Sequence, residues 1–108
     1  MSRKLWKYLG LNGVLVLASL PLVFRLMPPN RWYGFRLPGT ESSLDIWYEI
    51  NAMGGKMFIL SMVICAGMNL LFLWRGLEKA LPYLGWINFG MIALSFLIVS
   101  QVLVQYLP

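Results

Sequence analysis

Residues 57–74 read MFILSMVICAGMNLLFLW and contain no charged side chain. An apolar run of this length is typical of a helix that crosses a bilayer. Two further apolar runs flank it, so the predicted spans cover about residues 8–27, 55–75 and 83–107. The sequence therefore predicts an all-α membrane protein whose three transmembrane helices form one domain, residues 1–108.

The composition supports this class and argues against a soluble one. Hydrophobic residues make up 59% of the chain and charged residues 12%, whereas soluble domains are about half apolar and about a quarter charged. The net charge is +5, but the basic residues flank the spans, where Lys and Arg contact lipid headgroups. We therefore expect the lipid bilayer as a partner and no nucleic acid.

Histidine is absent and Cys65 is the single cysteine. An intrachain disulfide, a histidine metal site and a Ser–His catalytic pair are therefore excluded. Cys65 lies in mid-span, where a thiol serves as a small packing residue. We expect no cofactor, no metal site and no enzymatic activity.

The segment 28–51, between the first and second spans, is the longest part that membrane burial does not explain. Its first half combines two prolines, two glycines, two arginines and three aromatic residues within 29–40, which predicts a shaped loop at the membrane surface. A helix then begins near Ser42, with Thr40 or Ser42 as its cap and Asp45 completing a capping box. Gly54-Gly55 follows and indicates either a bend or a close-packing point.

The distribution of basic residues gives an orientation. Three crossings place Arg3, Lys4, Lys7, Arg75 and Lys79 on one side of the membrane and Arg25, Arg31, Arg36 and Lys56 on the other. The positive-inside rule then favours a cytoplasmic N-terminus and an extracytoplasmic loop. The first span is expected to be an uncleaved helix because no small-residue cleavage site follows it.

Three asparagines share one predicted depth. Asn12, Asn69 and Asn88 each lie a few residues from an aromatic anchor, on the side of the N-terminus. Since an amide that faces lipid is costly, we expect an interhelical polar cluster. It would serve as packing glue or, alternatively, in transport or binding. Ser61, Cys65 and Asn69 recur every four residues, so this face of the second helix should point inward.

The loop and the helix start hold the charged and aromatic candidates. Arg36 could form an ion pair with Asp45 or Glu49, or clamp a carboxylate, a phosphate or a headgroup. Glu41, Asp45 and Glu49 share a face and could hold a cation, pair with the loop arginines or simply be solvated. Trp47 is expected at the headgroup level or on a partner-binding surface.

This region resembles the SdpI family of bacterial membrane proteins. The residues that carry the resemblance are Asn30, Gly34, Arg36, Pro38, Thr40, Trp47 and Asn51, although Leu37 stands where the family commonly has Thr. The resemblance implies a multi-pass protein of the bacterial cytoplasmic membrane, with these residues as the motif and partner-binding set. It also implies immunity against a secreted toxin and relay of the toxin's presence by sequestering a repressor.

Three functional hypotheses follow. The first is a toxin-immunity or toxin-sensing protein whose partner is a peptide or protein toxin or a regulatory protein. The second is a small structural or accessory subunit, because a thin three-helix bundle has reason to associate with partners or with itself. The third, a membrane enzyme or transporter using Arg36, Asp45 and Glu49, has only residue types in its favour.

Overall fold

The computed structural model describes residues 3–30, 34–35, 37, 40, 43–77 and 82–107. It contains three helices, α1 Arg3–Val23, α2 Leu44–Trp74 and α3 Leu84–Val104. Each is long and apolar enough to cross a membrane. α2 is central and packs against both α1 and α3. The predicted fold class, an all-α membrane protein with three spanning helices, is confirmed, and the described residues include no strand.

α1 ends at Val23, before the predicted limit of its span at 27. Pro21 lies in the last turn, and its carbonyl accepts a hydrogen bond from the Leu26 amide at 2.9 Å. Arg25 adopts a left-handed conformation with φ of 58°, and its amide donates to the Leu22 carbonyl at 3.2 Å. These two bonds form a Schellman motif, which satisfies the carbonyls at the helix end. The motif turns the chain and leaves Arg25 exposed.

α2 begins one residue later than a cap at Ser42 would require. Ser43 is the N-cap, and its hydroxyl accepts a hydrogen bond from the Ile46 amide at 3.1 Å. Asp45 therefore occupies the second helical position, where it complements the helix dipole but cannot complete the predicted capping box. Ser42 itself lies outside the described residues. At the other end, Gly76 has φ of 66° and terminates the helix.

The interfacial helix start and the second span are one continuous helix. α2 has 31 residues, so it is about 46 Å long, whereas the hydrocarbon core of a bilayer is about 30 Å thick. Counting back from Trp74, the excess length falls in the first ten or so residues. The beginning of α2 therefore stands at the loop-side surface of the membrane, where the loop can pack against it.

Gly54-Gly55 is a close-packing point and not a bend. A Cβ atom on Gly54 would lie 2.6 Å from Cδ2 of Phe35 and 2.8 Å from Cδ1 of Leu103. A Cβ atom on Gly55 would lie 3.0 Å from Cγ2 of Val23. The two glycines thus allow the loop and α3 to approach α2 on one side and the end of α1 on the other.

The apolar core lies along the inward face of α2. Phe58, Met62 and Cys65 are buried there against Val99 and Leu103 of α3. Cys65 and Asn69 are buried and Ser61 is half-buried, so the small, polar face of α2 points inward as predicted. The Ser61 hydroxyl donates to the Met57 carbonyl at 3.1 Å within the same helix.

The packing at Gly54 leads to a stability prediction with a matched control. We expect Gly54→Ala to lower the free energy of unfolding by about 1–3 kcal/mol, because the added methyl group overpacks the contact with the Phe35 ring. Gly67→Ala on the same helix should not be destabilising, since nothing lies within 4 Å of its Cβ position and alanine favours helix. Denaturant titration in detergent micelles measures both variants. Equal stability of the two would contradict the packing assigned to Gly54.

Candidate functional site

The loop is attached to α2 by the side chain of Asn51. Its Oδ1 accepts a hydrogen bond from the Phe35 amide at 2.5 Å, and its Nδ2 donates to the Phe35 carbonyl at 3.4 Å. Nδ2 also donates to the Trp47 carbonyl at 2.9 Å, which holds the amide in position on the helix. Asn51 is 1% exposed. One buried amide thus satisfies both backbone groups of a residue in the loop.

Gly34 is required by this contact. Its φ is +107°, a conformation that residues with a Cβ rarely adopt. A Cβ atom would also lie 2.7 Å from Oδ1 of Asn51 and 3.3 Å from Cζ2 of Trp47. The backbone can therefore pass directly over Asn51 only because residue 34 has no side chain.

Trp47 lies where the sequence did not place it. The indole is 0% exposed, and its Nε1 donates to the Met27 carbonyl at 2.9 Å. The expectation of a residue on a partner-binding surface is therefore wrong. Trp47 belongs to the part of α2 at the membrane surface, but its indole packs inside the protein and is not exposed to the headgroups. Trp47 instead forms the platform beneath the loop, and its hydrogen bond ties the segment that leaves α1 to the start of α2.

Thr40 closes a turn at the end of the loop. Its amide donates to the Leu37 carbonyl at 3.0 Å, and its hydroxyl accepts from the Leu37 amide at 2.7 Å. The same hydroxyl donates to the Leu37 carbonyl. Thr40 is fully buried, and it shapes the loop without capping α2, a role that belongs to Ser43. The expectation that Thr40 or Ser42 forms the cap is therefore wrong, since the cap is Ser43.

Phe35 is a further residue of the site, and the sequence alone predicts no role for it. Its side chain is 8% exposed and lies over Gly54, with its ring centroid 6.3 Å from that of Phe96 on α3. The signal that could have identified it is the Gly54-Gly55 pair. Two glycines leave space on the surface of a helix, and in a close-packed protein a large side chain from another element fills that space. Phe35 couples the loop to the core of the bundle.

The charged candidates are only partly placed. Asp45 and Glu49 are exposed on α2, and neither forms an ion pair within the described part of the chain. Arg36, Pro38 and Glu41 lie outside the described residues, so the pairing of Arg36 with Asp45 or Glu49 stays a prediction. Asn30 is described, and its Nδ2 donates to the Pro28 carbonyl at 2.8 Å.

The structure brings the three intramembrane asparagines together at the other end of the bundle. Nδ2 of Asn69 on α2 donates to Oδ1 of Asn12 on α1 at 2.9 Å and to Oδ1 of Asn88 on α3 at 2.8 Å. Nδ2 of Asn88 donates to the Leu84 carbonyl at 3.1 Å. All three residues are buried. Among the described residues, Oδ1 of Asn69 has no hydrogen-bond partner. The cluster links all three helices through side chains alone.

Together these features define a multi-pass membrane helix bundle whose surface loop is fixed to the start of its central helix. The model of the SdpI/YfhL protein family matches residues 26–105, and the chain belongs to this family. The match includes the loop, α2 and α3, whereas α1 lies outside it.

One curated relative is similar to this chain, the uncharacterized protein YfhL of Bacillus subtilis (strain 168). The two are 33% identical over 63 residues, which are 56% of this chain and 56% of the relative. The aligned part of the chain thus spans about half the length of that protein. No solved structure matches the chain.

The Asn51 contact leads to a prediction about loop docking. Asn51→Leu removes the partners of two backbone groups, and each such loss costs about 1–3 kcal/mol when the groups are buried. We expect trypsin to cleave after Arg31 or Arg36 at least about tenfold faster in this variant than in the unaltered chain. Timed digestion with mass spectrometry measures the rate. Ser61→Ala is the control, since Ser61 bonds only within α2, and it should be cleaved at the rate of the unaltered chain. If Asn51→Leu is also cleaved at the rate of the unaltered chain, Asn51 does not hold the loop.

Proposed function

We propose that this SdpI-type membrane protein gives a bacterial cell immunity to a secreted, membrane-active toxin through its 29–51 region. The proposal places the chain in the cytoplasmic membrane, with the N-terminus inside and the loop outside. It acts by binding and not by catalysis. The sequence resemblance and the family membership support this reading, and the charge distribution supports the orientation.

The docked loop is the observation that carries the proposal. Asn51, Trp47 and Thr40 are buried and fix the loop by hydrogen bonds to the backbone of other residues. A segment held in this way binds a partner without a large loss of conformational entropy. The docked loop lies at the membrane surface, and a toxin that acts on the bilayer must first reach this surface.

The same contacts separate the residues that shape the loop from those that a partner can reach. The buried ones shape the loop, so recognition falls to groups that a partner can reach. Asp45 and Glu49 on α2 and the backbone at Gly34 are exposed. Arg36 adds a planar cation in the same stretch of sequence, suited to a carboxylate or phosphate of a partner.

The proposal predicts unequal effects of two loop arginines. Expressed in toxin-sensitive bacteria, the unaltered chain should raise survival and preserve the membrane potential during challenge with a panel of secreted peptide toxins. Arg36→Ala should abolish most of this protection and Arg31→Ala should not, because Arg36 lies within the motif. Both variants lose one positive charge, so each serves as a control for net charge. If the two variants lose protection equally, only the net charge of the loop matters. If the unaltered chain protects against none of the toxins, the proposal is refuted.

The side of the membrane on which the loop lies is testable separately. In a Cys65→Ser background, Asp45→Cys reports the loop side and Leu77→Cys the opposite turn, since both positions are exposed. An impermeant thiol reagent applied to intact cells should label the first and not the second. Labelling of Leu77→Cys alone would place the loop in the cytoplasm. That result would exclude capture of an external toxin by the loop and would favour a cytoplasmic regulator as its partner.

A further inference from the structure

We propose that one acyl chain of a membrane phospholipid occupies a specific cleft between α1 and α3, roofed by the loop. The cleft measures about 320 Å³, a volume within the range of small-molecule sites. Residues from all three helices and from the loop line it, including Ala18, Ser19 and Leu22 of α1, Phe58 of α2, Phe96 of α3 and Phe35 of the loop. This inference does not depend on the proposed immunity function.

The cleft follows from the way the helices pack. α1 and α3 each pack on α2 more closely than on each other. Gly55 brings the end of α1 against α2, while Gly54 receives Phe35 and Leu103 on the other side. The cleft is the space that remains between the two outer helices. The Phe58 and Phe96 rings, whose centroids are 4.5 Å apart, form its floor.

The position of the cleft puts it among lipid chains. Phe96 precedes the end of α3 at Val104 by eight residues, which is a depth of about 12 Å. The hydrocarbon core is about 30 Å thick, so the cleft lies in its loop-side half. The surrounding medium at this depth is lipid hydrocarbon, so acyl chains can enter an apolar cleft that is open to the side.

The lining calls for an apolar occupant. Ser19 is the polar side chain in the wall, and its hydroxyl donates to the Leu15 carbonyl at 2.9 Å. The amide and the carbonyl of Phe35 in the roof both bond to Asn51. These groups therefore need no polar partner, and burial of apolar surface supplies the binding energy.

The dimensions select a single hydrocarbon chain over a helix. The α1 wall runs from Leu15 to Leu22, which is about 10 Å of helix. A partner helix is itself about 10–12 Å wide and would need a groove along its length, but this cleft is short, and Phe35 lines it at the loop end. A narrow, flexible chain entering from the side fits this space, whereas a helix of a second copy does not.

The charge near the open end indicates a phospholipid. Arg25 follows Leu22 by three residues and is exposed beyond the end of α1. A lipid whose chain lies against Leu22 has its phosphate near the membrane surface, within reach of a guanidinium group that can bind it bidentately. The occupant would then contact both Arg25 and the underside of the loop.

The test uses the whole chain in vesicles of phosphatidylglycerol that carries a diazirine in the middle of one acyl chain. After irradiation, mass spectrometry of peptides locates the lipid adducts. We expect adducts to concentrate on Ala18, Leu22 and Phe96. The lipid-facing residues Leu60 and Leu97, although 62% and 63% exposed, should carry fewer.

Two variants on α1 give a matched comparison. Ala18→Phe should lower labelling in the cleft at least about tenfold, an effect that losing the burial of a few methylene groups is enough to produce. Leu17→Phe is the control, because Leu17 is the adjacent residue, is 65% exposed and does not line the cleft. Its labelling pattern should be unchanged.

Three results would overturn the proposal. Adducts distributed over the three helices in proportion to exposure would mean that the cleft holds no particular chain. Equal labelling of Ala18→Phe and Leu17→Phe would mean that the cleft is not the binding place. Cross-links from a photoreactive residue at position 18 to a second protein chain, in place of lipid, would mean that the occupant is a protein. The first result is read from the unaltered chain, so it does not depend on the folding of a variant.

Discussion

The structure depends on how the loop satisfies its backbone hydrogen bonds at the edge of a bilayer. Where the polypeptide passes over α2, the amide and the carbonyl of Phe35 are turned away from water, and leaving them unpaired would be costly. Asn51 bonds to both. The identity of two neighbours follows from this contact. Gly34 has no side chain because a Cβ would meet the Asn51 amide, and Gly54 has none because the Phe35 ring occupies its place.

α2 connects this contact to the rest of the bundle. It carries Asn51 at one end and Asn69 at the other, separated by 18 residues of continuous helix or about 27 Å. At both ends one side-chain amide makes several hydrogen bonds. Asn51 accepts from and donates to the backbone of Phe35 in the loop, whereas Asn69 donates to both α1 and α3. Between them the inward face carries mainly apolar side chains, such as Phe58 and Met62, beside Ser61, and it packs against both outer helices. α2 is thereby fixed to the loop at the surface and to α1 and α3 in the membrane.

The features that the sequence predicted correctly each depend on a single variable. Hydropathy alone gives three spanning helices, and depth along the helix alone brings Asn12, Asn69 and Asn88 to one level. The burial of Trp47 has no such signal, because an indole suits the headgroup region as well as a core. Its place is decided by the Met27 carbonyl, 20 residues away and beyond a Schellman turn formed by an arginine. The true cap, Ser43, differs from the expected Ser42 because adjacent serines are equivalent as N-caps until the helix register is known.

The burial of the motif residues changes what the motif means. A residue that recurs in a loop pattern suggests contact with a partner, yet Thr40, Trp47 and Asn51 are enclosed and bond to the protein itself. Their hydrogen bonds fix the backbone at Met27, Phe35 and Leu37, so the three buried residues determine how the loop lies on α2. The loop, its platform and Gly54 all fall within the range that matches the family, whereas the α1 wall of the cleft beneath the loop lies outside it. The part of the fold inside the family match is therefore the loop together with α2 and α3, and Phe35 belongs both to the loop that Asn51 holds and to the wall of the cleft.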